Sequence, residues 1–183
     1  MDAVLQATLQ VLLRPALGSL TTTRVAKVAG VSVGTLYQYF PNREALLIAV
    51  LTRYLEGIRN ATLGGLERAR NLEPEPAMRE VLRSLLVHKR RTQETSRGLR
   101  PWVALVEGVK LQHQVFASLG VGLAELLAGK FGAAGDALHR ALLLMGAMDG
   151  MLAASLDAGP KAFNHPALEE TLVQVALAVA RTH

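Results

Sequence analysis

No cysteine occurs among the 183 residues. That excludes disulfides and thiol nucleophiles and suits a reducing compartment. Aromatic side chains make up only 4% of the chain. Strands favour aromatic and β-branched residues, so this scarcity argues for packed helices. The histidines, at positions 88, 113, 139, 165 and 183, lack metal-site spacing. No metal or cofactor is expected. No basic stretch followed by an apolar run opens the chain, so no secretory signal is expected and the Asn60-Ala61-Thr62 sequon is idle. The expected location is cytoplasmic. The most apolar stretch, Ala137 to Leu156, is broken by His139, Arg140 and Asp149. It falls short of the ~20 apolar residues a membrane span needs.

Half the residues are apolar, enough for a sizeable core. The length allows one helical domain with a small attached module. The net charge is +5, unevenly spread: residues 1–60 carry +3, residues 61–110 carry +4 and residues 111–183 carry −2. A basic N-terminal end suits an anionic partner such as a phosphate backbone.

The chain is organised around Thr21 to Arg43, TTTRVAKVAGVSVGTLYQYFPNR. Thr21 can cap a first helix by accepting from an orphan N–H. Val25, Val28 and Ala29 repeat at helical spacing. Gly30 ends that helix, because glycine enters the left-handed region without a Cβ penalty. Ser32 caps a second helix, Val33 to about Phe40. Pro41 stops it, and Asn42 caps the next. Two helices joined by a short glycine-containing turn make the DNA-binding helix-turn-helix pattern. In the second helix Leu36 and Phe40 can bury. Thr35, Tyr37, Gln38 and Tyr39 present hydroxyls and an amide to phosphates or base edges. Val33 and Gly34 are small enough to let the tip approach a groove floor. Arg43, just past the Asn42 cap, can share a phosphate with helix N–H groups.

The run AGVSVGTLYQYFPNREALL resembles the signature of the tetracycline-repressor (TetR) family of transcriptional regulators. The likeness extends from about Leu20 to Leu47 and includes the LTT start, the AGVS turn and the LYQYF helix. It implies an N-terminal DNA-binding module, a C-terminal helical body that receives a small-molecule effector, and a homodimer. It also implies that Thr21, Thr22, Thr23, Arg24, Ser32, Val33, Gly34, Thr35, Tyr37, Gln38, Tyr39 and Arg43 face double-stranded DNA. Val4 to Leu13 resembles the family's first helix more loosely, and Arg14 to Ser19 departs from its usual connection. Beyond about residue 55 the likeness is one of architecture.

Gly30-Val31-Ser32-Val33-Gly34 also satisfies the G-x-S-x-G pattern of a serine hydrolase. That nucleophile elbow needs a strand before the serine, whereas TRVAKVA has helical spacing. The enzyme reading is the remote alternative.

The remaining chain reads as helices. Asp2 to Leu13 carries a stripe of Leu5, Leu9 and Leu12, widened by Val4, Ala7 and Val11. Its start next to the first residue leaves no basic arm for a minor groove. A connector helix runs from Asn42 to about Leu63, where Gly64-Gly65 breaks it. Asn71 to Pro76 is a linker, followed by a helix from about Ala77 that ends in His88-Lys89-Arg90-Arg91. Thr92 to Gly98 is a loop. Pro101 starts a helix with Trp102, Leu105, Val106 and Val109, which continues to about Lys130. Trp102, His113, Phe116 and Met145 are candidate ligand contacts. The last two long helices, Ala137 to Leu156 and about Pro166 to Arg181, suit a dimer interface, and pairing through them is also what the resemblance implies. The interface candidates are Leu142, Gly146, Gly150, Leu168, Leu172, Val175 and Val179.

The expected protein is all-α. Residues 1–45 form the helix-turn-helix module and residues 46–183 the ligand-binding and dimerising body. The expected function is repression from a palindromic operator, relieved by a small molecule. An activator or a ligand-independent regulator of the same fold is the alternative.

Overall fold

The computed structural model describes residues 1–14, 19–103, 106–132 and 135–181. Ten helices run through the described residues: α1 (Asp2–Leu13), α2 (Thr22–Ala29), α3 (Val33–Tyr39), α4 (Arg43–Ala69), α5 (Pro74–Arg91), α6 (Gln93–Val103), α7 (Val106–Phe131), α8 (Ala137–Asp157), α9 (Pro160–Phe163) and α10 (Ala167–Arg181). No strand occurs among them, so the chain is all-α. Residues 15–18, in the α1–α2 connection, and Leu105 lie outside the described residues.

The chain forms two compact units. Unit 1 holds Met1–Leu55 and Glu94–Gln112, and unit 2 holds Glu56–Gln93 and His113–His183. Unit 1 thus takes in more of the chain than the expected 1–45 module. Its core gathers Val4, Leu5, Ala7 and Val11 of α1, Val25 and Ala26 of α2, Leu36 and Phe40, and Leu46 and Val50 of α4. A later segment completes it, because Leu99 of α6 is fully buried there and Trp102 packs against it. The buried face of α1 differs slightly from the expected stripe. Leu9 and Leu12 are only partly buried, while Thr8 is hidden. Its hydroxyl donates to the Val4 carbonyl at 2.8 Å, which removes the cost of an unpaired buried donor.

Three expected breaks are absent or shorter than expected. Gly64-Gly65 does not end α4, which runs 27 residues to Ala69. A Cβ on Gly65 would stand 2.9 Å from Ser84 Cβ and 3.0 Å from Val81 Cα. Glycine here lets α5 approach α4 closely, and that contact outweighs the roughly 1 kcal/mol helix penalty. The expected linker is also shorter, because α5 starts at Pro74 in its first turn. A proline there loses no helical hydrogen bond. Thr92 to Gly98, expected as a loop, belongs largely to α6. Polar composition suggested a loop, but Ser96 is buried and its Oγ lies 2.6 Å from the Tyr54 hydroxyl. Pro101 lies inside α6, not at a helix start.

In unit 2, α8 buries Ala137, Ala141, Leu144, Met148, Leu152 and Leu156 along one face. On α10 the inward residues are Leu172, Val173, Ala176, Leu177 and Ala180. Arg140 joins the two helices. Its Nη1 donates to the Ala180 carbonyl at 3.1 Å and its Nε to Asp136 at 2.8 Å. A cation at the C-terminal end of α10 offsets unsatisfied carbonyls and the helix dipole. By length and composition alone α7 (from Glu107) and α8 could each cross a membrane. The buried, three-and-four spaced face of α8 is that of a core helix.

Candidate nucleic-acid interface

Local capping chemistry sets the site. Thr21 Oγ1 accepts from the Arg24 N–H at 3.2 Å and starts α2. Gly30 ends it in the left-handed region, with φ at 70°. Ser32 Oγ accepts from the Thr35 N–H at 2.9 Å and starts α3. Asn42 Oδ1 accepts from the Ala45 N–H at 2.8 Å and starts α4. Each cap satisfies a donor that the helix end would otherwise leave open. Because α2 precedes Ser32 where a hydrolase elbow needs a strand, the G-x-S-x-G reading is excluded.

Leu36 and Phe40 anchor α3 in the core. The rest of the helix faces outward: Val33, Gly34, Thr35, Tyr37, Gln38 and Tyr39 are all exposed. Tyr39 is 62% exposed, the most open aromatic ring among the described residues. Such a ring has no packing role that would explain it. A Cβ on Gly34 would meet only Ser32 Oγ, at 3.8 Å. The protein's own packing therefore does not require glycine there.

Not every expected contact residue points outward. Thr22 is buried, and its Oγ1 donates to the Tyr37 hydroxyl at 3.1 Å. It positions Tyr37 and does not present its own hydroxyl. Arg24 is half-buried and its Nη1 donates to the Ser19 carbonyl at 2.5 Å. Arg43 is exposed, and its Nε donates to Glu44 at 2.9 Å. That hydrogen bond holds the Glu44 carboxyl below the usual range. Thr21, Thr23 and Ser32 are exposed, with Ser32 Oγ also 2.7 Å from Thr35 Oγ1. Sequence reasoning passed over Lys27, an exposed cation in the last turn of α2. The signal was available, since cations are sought wherever phosphates are expected.

Residues 4–50 match the family model described as bacterial regulatory proteins, tetR family. The match covers the segment from α1 into the start of α4, and that segment is a tetR-type N-terminal module. The fold of the chain is similar to that of the fatty acid degradation regulator FadR from Bacillus halodurans, at TM-score 0.76 and 18% identity, covering 100% of this chain and 96% of that one. It is also similar to FadR from Bacillus subtilis, solved in complex with stearoyl-CoA, at TM-score 0.72 and 16% identity, with 100% and 99% covered. A transcriptional regulator from Rhodococcus sp. Rha1 gives TM-score 0.72 at 20% identity, with 100% and 98% covered. No curated protein matches the chain in sequence.

The four expected ligand contacts are scattered. Trp102 packs against the core of unit 1, whereas Met145 packs against the core of unit 2. His113 is exposed and Phe116 half-buried. A cavity of about 430 Å³ in unit 2 is lined by none of them. Of the expected interface residues, Leu142 is 49% exposed, and Gly146 and Gly150 face open space. With Leu138 and Ala154 they form an exposed stripe at four-residue spacing along α8. Leu168, Val175 and Val179 are half-buried against the unit's own core. Leu172 is 1% exposed. Its side chain fills the interior and is not available to a second chain, because the inward face of α10 is rotated from the expected one.

Proposed function

We propose that this chain is a homodimeric, cytoplasmic repressor that binds a palindromic operator through α3 and leaves it when a mostly apolar small molecule binds the helical body. The carrying observation is the outward set Val33, Gly34, Thr35, Tyr37, Gln38 and Tyr39 on a helix anchored by Leu36 and Phe40. Among the described residues of unit 1, these side chains are engaged in the Thr22–Tyr37 and Ser32–Thr35 contacts and are otherwise open to a partner. Tyr39 and Lys27 suit phosphates, and Val33, Gly34 and Gln38 suit base edges.

Two-fold pairing supports the palindrome, since a symmetric dimer presents two identical reading helices. The exposed α8 stripe of Leu138, Leu142, Gly146, Gly150 and Ala154 supports pairing there. The stearoyl-CoA complex of the Bacillus subtilis neighbour makes long-chain acyl thioesters the first effector probes. An effector changes operator affinity only if it favours one arrangement of the reading helices over another. Helix α4 carries Arg43 at its start and runs on into unit 2, so it is the element through which such a change would pass.

The test starts with duplexes selected from a random pool. An inverted repeat should emerge, with affinity that falls steeply with salt. A Tyr37→Ala, Tyr39→Ala double variant that melts normally should lose operator binding. Unchanged affinity in that variant rejects α3 as the reading element.

A further inference from the structure

The cavity in unit 2 is a groove between α4 and α5. Its walls carry Asn60, Arg68, Glu80, Arg83, His88 and Arg91. Three guanidinium groups thus meet one carboxylate. That carboxylate is already engaged: Glu80 Oε1 accepts from Arg68 Nε at 2.7 Å and lies 3.2 Å from Ser84 Oγ. Arg68 is further held by its Nη2 donating to Ser84 Oγ at 2.6 Å. Among the described residues Arg83 and Arg91 are both exposed and have no acidic partner. They stand eight residues apart on α5, about 12 Å along the axis. Each has a side chain long enough to reach a shared anion lying along the groove. An apolar ledge of Ala61 and Val87 completes the lining, and Val87 is 39% exposed.

We infer that this groove binds a small phosphorylated anion of nucleotide size, held by Arg83 and Arg91 with Arg68 as a fixed third cation. Guanidinium forks match phosphate oxygens in pairs, which makes arginine the favoured side chain for such groups. A volume of about 430 Å³ lies within the range of small-molecule sites. The Asn60 amide and the Ala61–Val87 ledge suit the uncharged part of the ligand. The surplus of positive charge lies in a concave wall, where the field is focused more strongly than on an open surface. His88 adds no charge near neutral pH, because burial, and then Lys89 and Arg91, hold its imidazole below the ordinary value. The groove lies wholly within unit 2, so its occupancy is read separately from operator binding by α3.

The test uses the full chain and four probes at fixed ionic strength: pyrophosphate, ATP without metal, adenosine and sodium sulfate. Pyrophosphate and ATP should raise the melting temperature, and adenosine and sulfate should not. An Arg83→Ala, Arg91→Ala double variant should weaken ATP binding about tenfold or more, since two charge-assisted contacts are lost. Its circular dichroism and its operator affinity without ATP should stay at wild-type values. Tighter binding of ATP than of pyrophosphate identifies the ligand as a nucleotide, and equal binding identifies it as a free phosphate; both support the site. An unchanged ATP affinity in the double variant, or an equal response to sulfate, overturns it. So does a result in which only random-sequence duplex DNA binds through Arg83 and Arg91, which would assign these arginines to the DNA backbone.

Discussion

The hydroxyl of Thr22 donates to the hydroxyl of Tyr37 across 3.1 Å, tying α2 to the exposed helix α3. Because Tyr37 accepts this bond, its own O–H remains free to donate outward. One buried threonine thus fixes the aim of an exposed phenol. Thr22→Val keeps shape and removes the donor. A neutral hydrogen bond contributes about 0.5–1.5 kcal/mol, so operator affinity should fall by roughly two- to tenfold. In a double-mutant cycle with Tyr37→Phe the losses should be less than additive. Strict additivity would show that the two hydroxyls act independently on DNA.

Gly34 offers a cleaner probe of the interface than any polar residue. Nothing but Ser32 Oγ, 3.8 Å away, would meet a Cβ there. Gly34→Leu should leave the melting temperature unchanged or raise it, since leucine favours a helix by roughly 1 kcal/mol over glycine. Operator affinity should drop at least tenfold, because the added bulk holds the helix tip off the groove floor. Wild-type binding by Gly34→Leu would place the DNA elsewhere.

Two adjacent glycines in α4 should respond in opposite ways. At Gly65 an added Cβ meets Ser84 at 2.9 Å and the Val81 backbone at 3.0 Å; at Gly64 it meets only Arg68 Nη1, the far end of a side chain, at 3.3 Å. Gly65→Ala should therefore destabilise by about 1–3 kcal/mol through overpacking. Gly64→Ala should be neutral or gain up to about 1 kcal/mol from helix propensity. Denaturant unfolding of both variants checks this, and equal effects would contradict the close α4–α5 approach.

Leu172 and Gly150 separate folding from pairing. Leu172 is buried among its own unit's core residues, and Gly150 faces open space on α8. Leu172→Glu should lose the cooperative thermal transition, because an unpaired carboxylate is placed in an apolar interior. Gly150→Arg should melt normally yet elute at one chain's mass. A Gly150→Arg protein that stays dimeric would exclude the α8 stripe as the contact.

Acid should weaken the fold through His88. Its imidazole is held below the ordinary value of 6.5, by burial first and then by Lys89 and Arg91. Asn60, Arg68, Glu80 and Arg83 share the same groove. Above pH 6.5 the ring is neutral in both folded and unfolded chains and contributes no pH dependence. As pH falls below 6.5 the unfolded chain takes up the proton first, so stability declines until the folded ring also titrates. His88→Gln should flatten this part of the stability profile, measured by chemical denaturation between pH 7.5 and 5 at constant salt. An identical slope in wild type and variant would assign the effect to other groups.

The parts of this fold that were legible in the sequence are those decided within a few residues. Thr21, Ser32 and Asn42 cap helices because their own oxygens reach N–H groups three positions on, and no distant partner can change that. The fate of Gly64-Gly65 depended on α5, sixteen or more residues away, arriving close enough to need a missing side chain. The 92–98 stretch looked solvated because it is polar, yet Tyr54 supplies a partner for Ser96 from forty-two residues upstream. On α10 the spacing at Leu168, Leu172, Val175 and Val179 was a sound helical stripe. Val173, Ala176, Leu177 and Ala180 made an equally good one, and packing against the unit's core, not periodicity, chose between them. For α3 the apolar pair Leu36 and Phe40 left little ambiguity about the outward arc, although the burial of Thr22 was hidden in a run of three threonines.

The core of unit 1 is closed by Leu99, which is fully buried among residues of the first fifty. A ribosome that has just released residue 55 therefore holds an unfinished reading head. Burying a leucine is worth about 1.5–3 kcal/mol, a large share of a small module's stability. The head reaches its final stability only after α6 has emerged, well into the second half of synthesis. Fragments cut after α4, the natural choice from the helix-turn-helix boundary, lack that plug. Fusions that transplant this head onto another protein need to carry the 94–103 segment as well, or supply an apolar side chain in its place.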